Sequence, residues 1–233
     1  MEPRELAGSS YTWWPPRDDH VILFKLNPVR FEFFDRYVPT WDGVRVLDVG
    51  CGGGYACEYL ARRGAVVHGT DLFEPSLLEA RRHATESGLE IDYKSCTIER
   101  LPFDNNSVNL VTCFDVLEHV HDKPRLLLEI HRVLSPGGWL FLDTFAKTLW
   151  SKLIIIWLAE VMIRLIPRGT HDWRLFLNPS DLQQMLTASG FDAGEFAGIR
   201  PSRRRVEGGL PARISPEASK AILYFAAVRK PIR

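Results

Sequence analysis

Two groups of residues have types and spacings that could do chemistry. In VLDVGCGGG, Gly50, Gly52, Gly53 and Gly54 follow an apolar run directly, and Asp71 closes the next one. Glycines at such a place let the backbone turn sharply and approach a ligand with no side chain in the way. An acid about 20 residues further on can accept both hydroxyls of a ribose. The pattern predicts a nucleoside-bearing ligand. A dinucleotide fingerprint wants a third glycine three residues after the second, whereas Tyr55 stands there and Asp48 precedes the loop, so another adenosyl ligand fits better than NAD. The second group is DVLEH. Asp115, Glu118 and His119 share one side if the segment is helical. Two carboxylates and an imidazole could bind Mg2+, Mn2+ or Zn2+ with positions open for substrate oxygens. Equally, Glu118 and His119 could only shape a pocket, or supply a metal-free base. His171 and Asp172 of GTHDW form a further pair, which could face a reacting oxygen or cap a turn.

Elements must position these groups. VRVLDV and AVVHGTD read as buried strands around a helix from Tyr55 to Arg63, and EPSLLEARRHATESG as a helix that starts at Pro75 and stops at Gly88. Further strands are predicted at IDYKS, VNLVTCF, GWLFLDTF, around FDAGEFAG and at AILYFAAVR, with helices from Lys123 to Leu134 and from Ser180 to Ser189. The alternation predicts an α/β fold, a Rossmann-like sheet of seven mostly parallel strands with helices on both faces. One domain is expected over 1–233: an aromatic leader and helix (1–43), a ligand-binding core (44–145), an apolar helical insertion (146–178) and a C-terminal helix with strands (179–233). Pro201 to Glu217, rich in Gly, Pro and Arg, reads as a flexible loop, with Arg203, Arg204 and Arg205 solvated. Trp13 and Trp14 could cover a ligand mouth or simply pack.

Composition narrows the partners. The 233 residues carry 29 basic and 29 acidic side chains, which lacks the basic footprint of a nucleic-acid binder. The four cysteines form no C-x-x-C pair, so neither a disulfide framework nor a thiolate zinc site is expected, and a reducing cytoplasm is the predicted compartment. The N-terminus has no apolar run with a cleavage site and is too acidic for a transit peptide.

LDVGCGGG, Asp71, LPF, FDVLEHV and LSPGG together resemble the class I S-adenosylmethionine-dependent methyltransferases. WWPP...LNPVR, HATESGLEIDYKSCTIE and IPRGTHDWRLFLNPSDL narrow the resemblance to the ubiquinone-biosynthesis O-methyltransferases, which methylate phenolic hydroxyls on a polyprenylated ring. It runs from about residue 11 to 199 and weakens beyond Gly198, where IRPSRRRVEGG replaces the family's usual Tyr-Asn-Pro segment. The resemblance implies S-adenosylmethionine as cofactor, with Gly50 and Gly52 at its methionine part and Asp71 on the ribose. It also implies Leu72, Thr97 and Ile98 at the adenine, Arg30 at the carboxylate and Phe114 in contact. The family holds a divalent ion on an acid-x-x-Glu-His cluster, here Asp115, Glu118 and His119, and such a metal would acidify a phenol. The expected activity is O-methylation of a lipophilic hydroxyphenol, within a quinone-biosynthesis complex. The alternatives are another hydrophobic phenol as substrate, or a cofactor-binding subunit without catalysis.

The stretch from Lys147 to Trp173 is unusually apolar. Lys152, Glu160 and Arg164 interrupt it, so it is not expected to span a bilayer. On an α-helical wheel those charges gather in one third of the circumference, and Ile154, Ile155, Trp157, Leu158, Val161, Met162, Leu165 and Ile166 fill the rest. Either a packed core helix or a helix lying in the membrane interface satisfies this pattern. The second predicts peripheral docking on anionic lipid through 149–166, with Lys152, Arg164 and Arg168 at the headgroups.

Overall fold

The structure, a computed structural model, describes residues 13–16, 19–162 and 169–232. The expected Arg164, Leu165, Ile166 and Arg168 of the apolar segment lie outside them.

Helix α1 (Asp19–Phe34) leads into strand β1 (Arg45–Val49), helix α2 (Tyr55–Ala61), β2 (Val66–Asp71), α3 (Glu74–Glu86), β3 (Ile91–Ser95) and β4 (Val108–Cys113). Then follow α4 (Lys123–Val133), β5 (Leu134–Phe145), the short helix α5 (Leu149–Ser151), α6 (Pro179–Ala188), β6 (Glu195–Pro201), β7 (Ala212–Ser215) and β8 (Leu223–Arg229). The strands lie in the order β3-β2-β1-β4-β5-β8-β6-β7. The first five are mutually parallel, and β8, β6 and β7 pair antiparallel.

β1 is buried from Val46 to Val49, as a central parallel strand covered on both faces must be. Its successive residues enter opposite cores. Val46 joins Phe31, Phe34, Leu60 and Leu77 beneath α1, α2 and α3, whereas Leu47 joins Leu126, Ile130, Leu182 and Leu186 beneath α4 and α6. Each fully buried side chain of this size contributes about 1.5–3 kcal/mol relative to exposure. α4 begins where the Asp122 side chain accepts a hydrogen bond from Arg125 N at 3.0 Å, and Pro124 occupies its first turn.

Two expectations are corrected. Among the described residues the sheet has eight strands, because Ala212–Ser215 of the expected flexible loop pairs with β6 from Gly198↔Ser215 to Pro201↔Ala212. Glycine and proline had masked a four-residue strand whose Ile214 is buried in the core. Beyond α5, Lys152–Met162 winds as a π-helix with i→i+5 bonds, so the α-helical wheel does not describe it.

Candidate active site

Strand order reverses between β1 and β4: the chain runs outward through β2 and β3 on one side and through β5 on the other. At such a switch point the carboxyl ends of the strands open a crevice. The glycine loop leaves β1 here, and Phe114 to His119 leave β4.

Gly50 and Gly52 have φ of 72° and 51°, a left-handed backbone that suits glycine. A Cβ at Gly50 would run into the side chain of Val116. The loop is tied to β2 by Gly50 N and Cys51 N, which donate to Thr70 O at 2.7 and 2.9 Å. Asp71 closes it: Oδ2 accepts from Gly52 N and Oδ1 from Phe73 N, both at 2.8 Å. Burial raises the Asp71 pKa against these hydrogen bonds. Leu72 is exposed beside it, Thr97 is exposed just beyond β3, and Ile98 is half-buried. The leader covers the loop. The Trp13 ring packs on Gly52 and Gly53 and its Nε1 donates to Ser76 Oγ at 2.8 Å, while Trp14 Nε1 donates to Gly53 O at 2.8 Å.

Beneath the β4 side lies Asp48, whose Oδ1 accepts from Thr112 Oγ1 at 2.6 Å. Burial pushes its pKa up to about 6. Arg30 is buried as well. Its Nε donates to Asp143 Oδ2 at 2.6 Å, Nη1 to Asn27 Oδ1 at 3.1 Å, and Nη2 to Asp115. The guanidinium lies over the Phe114 ring, 4.7 Å from its centroid. Burial works against its charge, but Asp115 and Asp143 together raise its pKa above the ordinary value. Asp143 is itself pushed up to about 7 by burial, with Arg30 opposing.

Of the expected set of Asp115, Glu118 and His119, Asp115 is drawn toward Arg30. Asp115 adopts φ of 56° and turns its carboxylate to Arg30. The groups that do converge are Glu118, His119 and His171, with one donor atom of each within 4.8 Å of the others. The reason is local: Leu117–His119 is a single 3-10 turn, not the α-helix that would align i with i+3 and i+4. Glu118 is buried. Its Oε2 accepts from Thr144 Oγ1 at 2.8 Å, and its Oε1 meets no hydrogen-bond donor among the described residues. Burial, reinforced by Asp115, pushes its pKa up to about 8. His119 is reachable by solvent, yet surrounding protein crowds its ring and His171 stacks on it at 5.3 Å, so its pKa falls to about 4. Asp172 caps a turn, its Oδ1 accepting from Arg174 N at 2.9 Å. Sequence reading missed Asp143 and Thr144. Their signal was a polar pair inside the apolar run WLFLDTF, at the carboxyl end of a buried strand.

The expected cofactor fits these residues: a glycine loop that presents backbone without side chains, under the Trp13 ring, and a carboxylate at the end of β2. The buried Glu118 Oε1, unmatched among the described residues, and two imidazoles form a nitrogen and oxygen donor set that could hold a divalent ion such as Zn2+.

Comparison with known proteins agrees with this fold. Residues 47–142 match a methyltransferase domain family. The ubiquinone biosynthesis O-methyltransferase of Hahella chejuensis is 39% identical over 199 residues, 85% of this chain and 83% of that protein. Its counterpart from Leptothrix cholodnii is 36% identical over 98% of this chain and 97% of its own. Among solved structures, a Pyrococcus horikoshii protein superposes with a TM-score of 0.68 at 15% identity, covering 99% of both chains. The magnesium protoporphyrin IX methyltransferase of Synechocystis, solved with bound SAH, gives 0.65 at 19% identity, over 97% of this chain and 92% of that one. A class I methyltransferase fold and extensive identity to curated relatives meet in one sequence, and the chain belongs to the ubiquinone biosynthesis O-methyltransferase family.

Proposed function

We propose that the protein transfers a methyl group from S-adenosylmethionine to a phenolic hydroxyl of a lipophilic, polyprenylated ring. The observation that carries this reading is the meeting of two sites at one switch point: the Gly50–Gly52 loop with Asp71, and the Glu118–His119–His171 cluster. S-adenosylmethionine supplies an electrophilic methyl group. Gly50 and Gly52 would admit its methionine part, Asp71 would take the ribose hydroxyls, and Leu72, Thr97 and Ile98 would border the adenine. Arg30 would face the cofactor carboxylate with Phe114 beside it, exchanging part of its present pairing with Asp115. The chain works as one domain, with 44–145 as the cofactor-binding core and 146–178 as a lid.

Glu118, His119 and His171 would hold a divalent cation. A bound cation would lower the phenol pKa and favour the phenoxide. His119, unprotonated at neutral pH, offers a ring nitrogen to a metal or to the substrate proton. Glu118, pushed up to about 8, can carry a proton near neutral pH.

The insertion is read as an interface helix. Leu149, Trp150, Leu153 and Trp157 are 79%, 64%, 46% and 54% exposed, which favours contact with lipid over packing in a core. No helix among the described residues is long and apolar enough to cross a membrane. The reading is therefore a cytoplasmic enzyme docked peripherally on the membrane, beside the other members of a quinone-biosynthesis complex. The test incubates the pure protein with S-adenosylmethionine and a cell lipid extract and seeks lipids heavier by one methylene. No such product, with the cofactor unconsumed, rejects the activity.

A further inference from the structure

Arg203, Arg204 and Arg205 are exposed at the tip of the β6–β7 hairpin, and Arg213 is exposed on β7. Register sets Arg213 directly opposite Arg200. Opposed residues project from the same face of the sheet, where like charges repel. Glu207 is the acid of the tip, and Glu217 acts on Arg200. Among the described residues, no carboxylate makes an ion pair with Arg203, Arg204, Arg205 or Arg213. In a chain with as many acids as bases, this concentration of arginine adds repulsion that no ion pair among the described residues offsets.

The tip is held in place. Ser202 N donates to Pro211 O at 3.0 Å, Gly209 N to Val206 O at 2.9 Å, and Leu210 N to Lys25 O of α1 at 3.1 Å. β6 runs in the same direction as β5, because both pair antiparallel to β8. Tyr224 pairs with Thr144 on one side and with Gly198 on the other, so these two residues lie level. Arg203 follows Gly198 by as many residues as Leu149 follows Thr144. β5 and β6 thus leave the sheet at one edge, two strand spacings or about 10 Å apart, β5 leading to the exposed Leu149, Trp150, Leu153 and Trp157 and β6 to the arginines.

We propose that the Arg203–Arg205 tip, with Arg213, is a cationic docking surface for anionic lipid headgroups, set beside the apolar helix of the same sheet edge; this rests on the membrane reading above. Guanidinium groups match phosphate oxygens with paired donors, and exposed arginines are drawn to the negative potential of such a surface. The helix supplies apolar insertion with the exposed Lys152 at its base. The hairpin adds the denser cluster of cationic groups and with it the larger share of discrimination for anionic lipid.

Flotation of the full-length protein with phosphatidylcholine vesicles, and with phosphatidylcholine–phosphatidylglycerol vesicles, separates the two contributions. The triple variant Arg203→Gln, Arg204→Gln, Arg205→Gln is expected to bind the phosphatidylglycerol vesicles about a hundredfold more weakly than the parent. It should match the parent on phosphatidylcholine alone, and high salt should erase the difference. Its melting temperature and cofactor affinity should equal the parent's. Equal binding of triple variant and parent to the anionic vesicles overturns the proposal and leaves an acidic protein as the remaining partner for these arginines. An equal loss on both vesicle types overturns it as well, as does a parent that binds neither. The helix reading is judged by Leu153→Glu, Trp157→Glu. If this variant matches the parent on both vesicles the helix reading fails, while the triple variant still decides the role of the arginines.

Discussion

Asp71, proposed to hold the ribose, also braces the loop, because its two oxygens accept hydrogen bonds from Gly52 N and Phe73 N. Replacing it by Ala would remove the proposed ribose acceptor and leave Gly52 N and Phe73 N without this partner. Calorimetry should show S-adenosylmethionine binding weakened by roughly 1.5–3 kcal/mol, the range for hydrogen bonds to a charged group. Unchanged affinity would reject the assignment. Asp48 makes a different prediction. Burial raises its folded pKa to about 6 from 3.8, so the native state keeps a proton that the unfolded chain has released. The stability this proton contributes is full below the unfolded value and is lost as pH rises to about 6. In Asp48→Asn the amide does not titrate. Parent stability minus variant stability, from urea unfolding, should therefore fall between about pH 4 and 6 by on the order of 2–3 kcal/mol and then level off. Taking the difference cancels the opposite contributions of Asp92 and Glu129, whose pKa values are lowered. A flat difference would show that Asp48 is not desolvated in solution.

The tertiary structure sets the anchoring of the apolar segment and the exposure of its described side chains. Its base is fixed. Trp173 Nε1 donates to Thr148 O at 3.1 Å, and the ammonium groups of Lys147 and Lys152 lie 5.5 and 4.9 Å from the Trp173 ring centroid. Thr148 and Ser151 cap each other's backbone N–H at the start of α5. From this anchor the helix presents Leu153 and Trp157 outward. Changing both to Glu removes apolar contact and adds negative charge, at little cost to a fold that does not bury them. The double variant should keep the parent's melting temperature and lose co-sedimentation with vesicles. A variant that fails to fold would mean that these side chains are buried in solution.

At the scale of the molecule, the cofactor crevice and the Glu118–His119–His171 cluster are built by different strands and share one sheet edge. Exhaustive chelation is therefore expected to stop methyl transfer while S-adenosylmethionine still binds by calorimetry, and added Zn2+ or Mn2+ should restore turnover. Activity untouched by chelation would leave the same residues working as a metal-free acid–base pair. His171→Ala should raise the amount of metal needed for half-maximal activity by at least about tenfold, the lower range for disrupting a metal site. The expected three-residue set of Asp115, Glu118 and His119 predicts no such change.

Local pattern sufficed for the sheet's parallel half. Buried runs, glycine after β1 and proline at helix starts are short-range signals, and β1 to β5 with α2, α3 and α4 follow them closely. The order of ligand elements was equally legible, since a glycine turn and an acid at the next strand end depend on spacing along one strand-helix-strand unit. β7 was not legible, because its pairing with β6 is made by partners across a turn rich in breakers. The composition of the Glu118 cluster also escaped. Asp115 precedes the 3-10 turn with a φ of 56°, Arg30 from α1 captures it across 85 positions, and His171 returns from beyond the insertion. Sequence by itself determined which residue types stood at which strand ends. Only the tertiary structure decided which of them met, because buried charges choose partners by distance in space and by the cost of remaining unpaired.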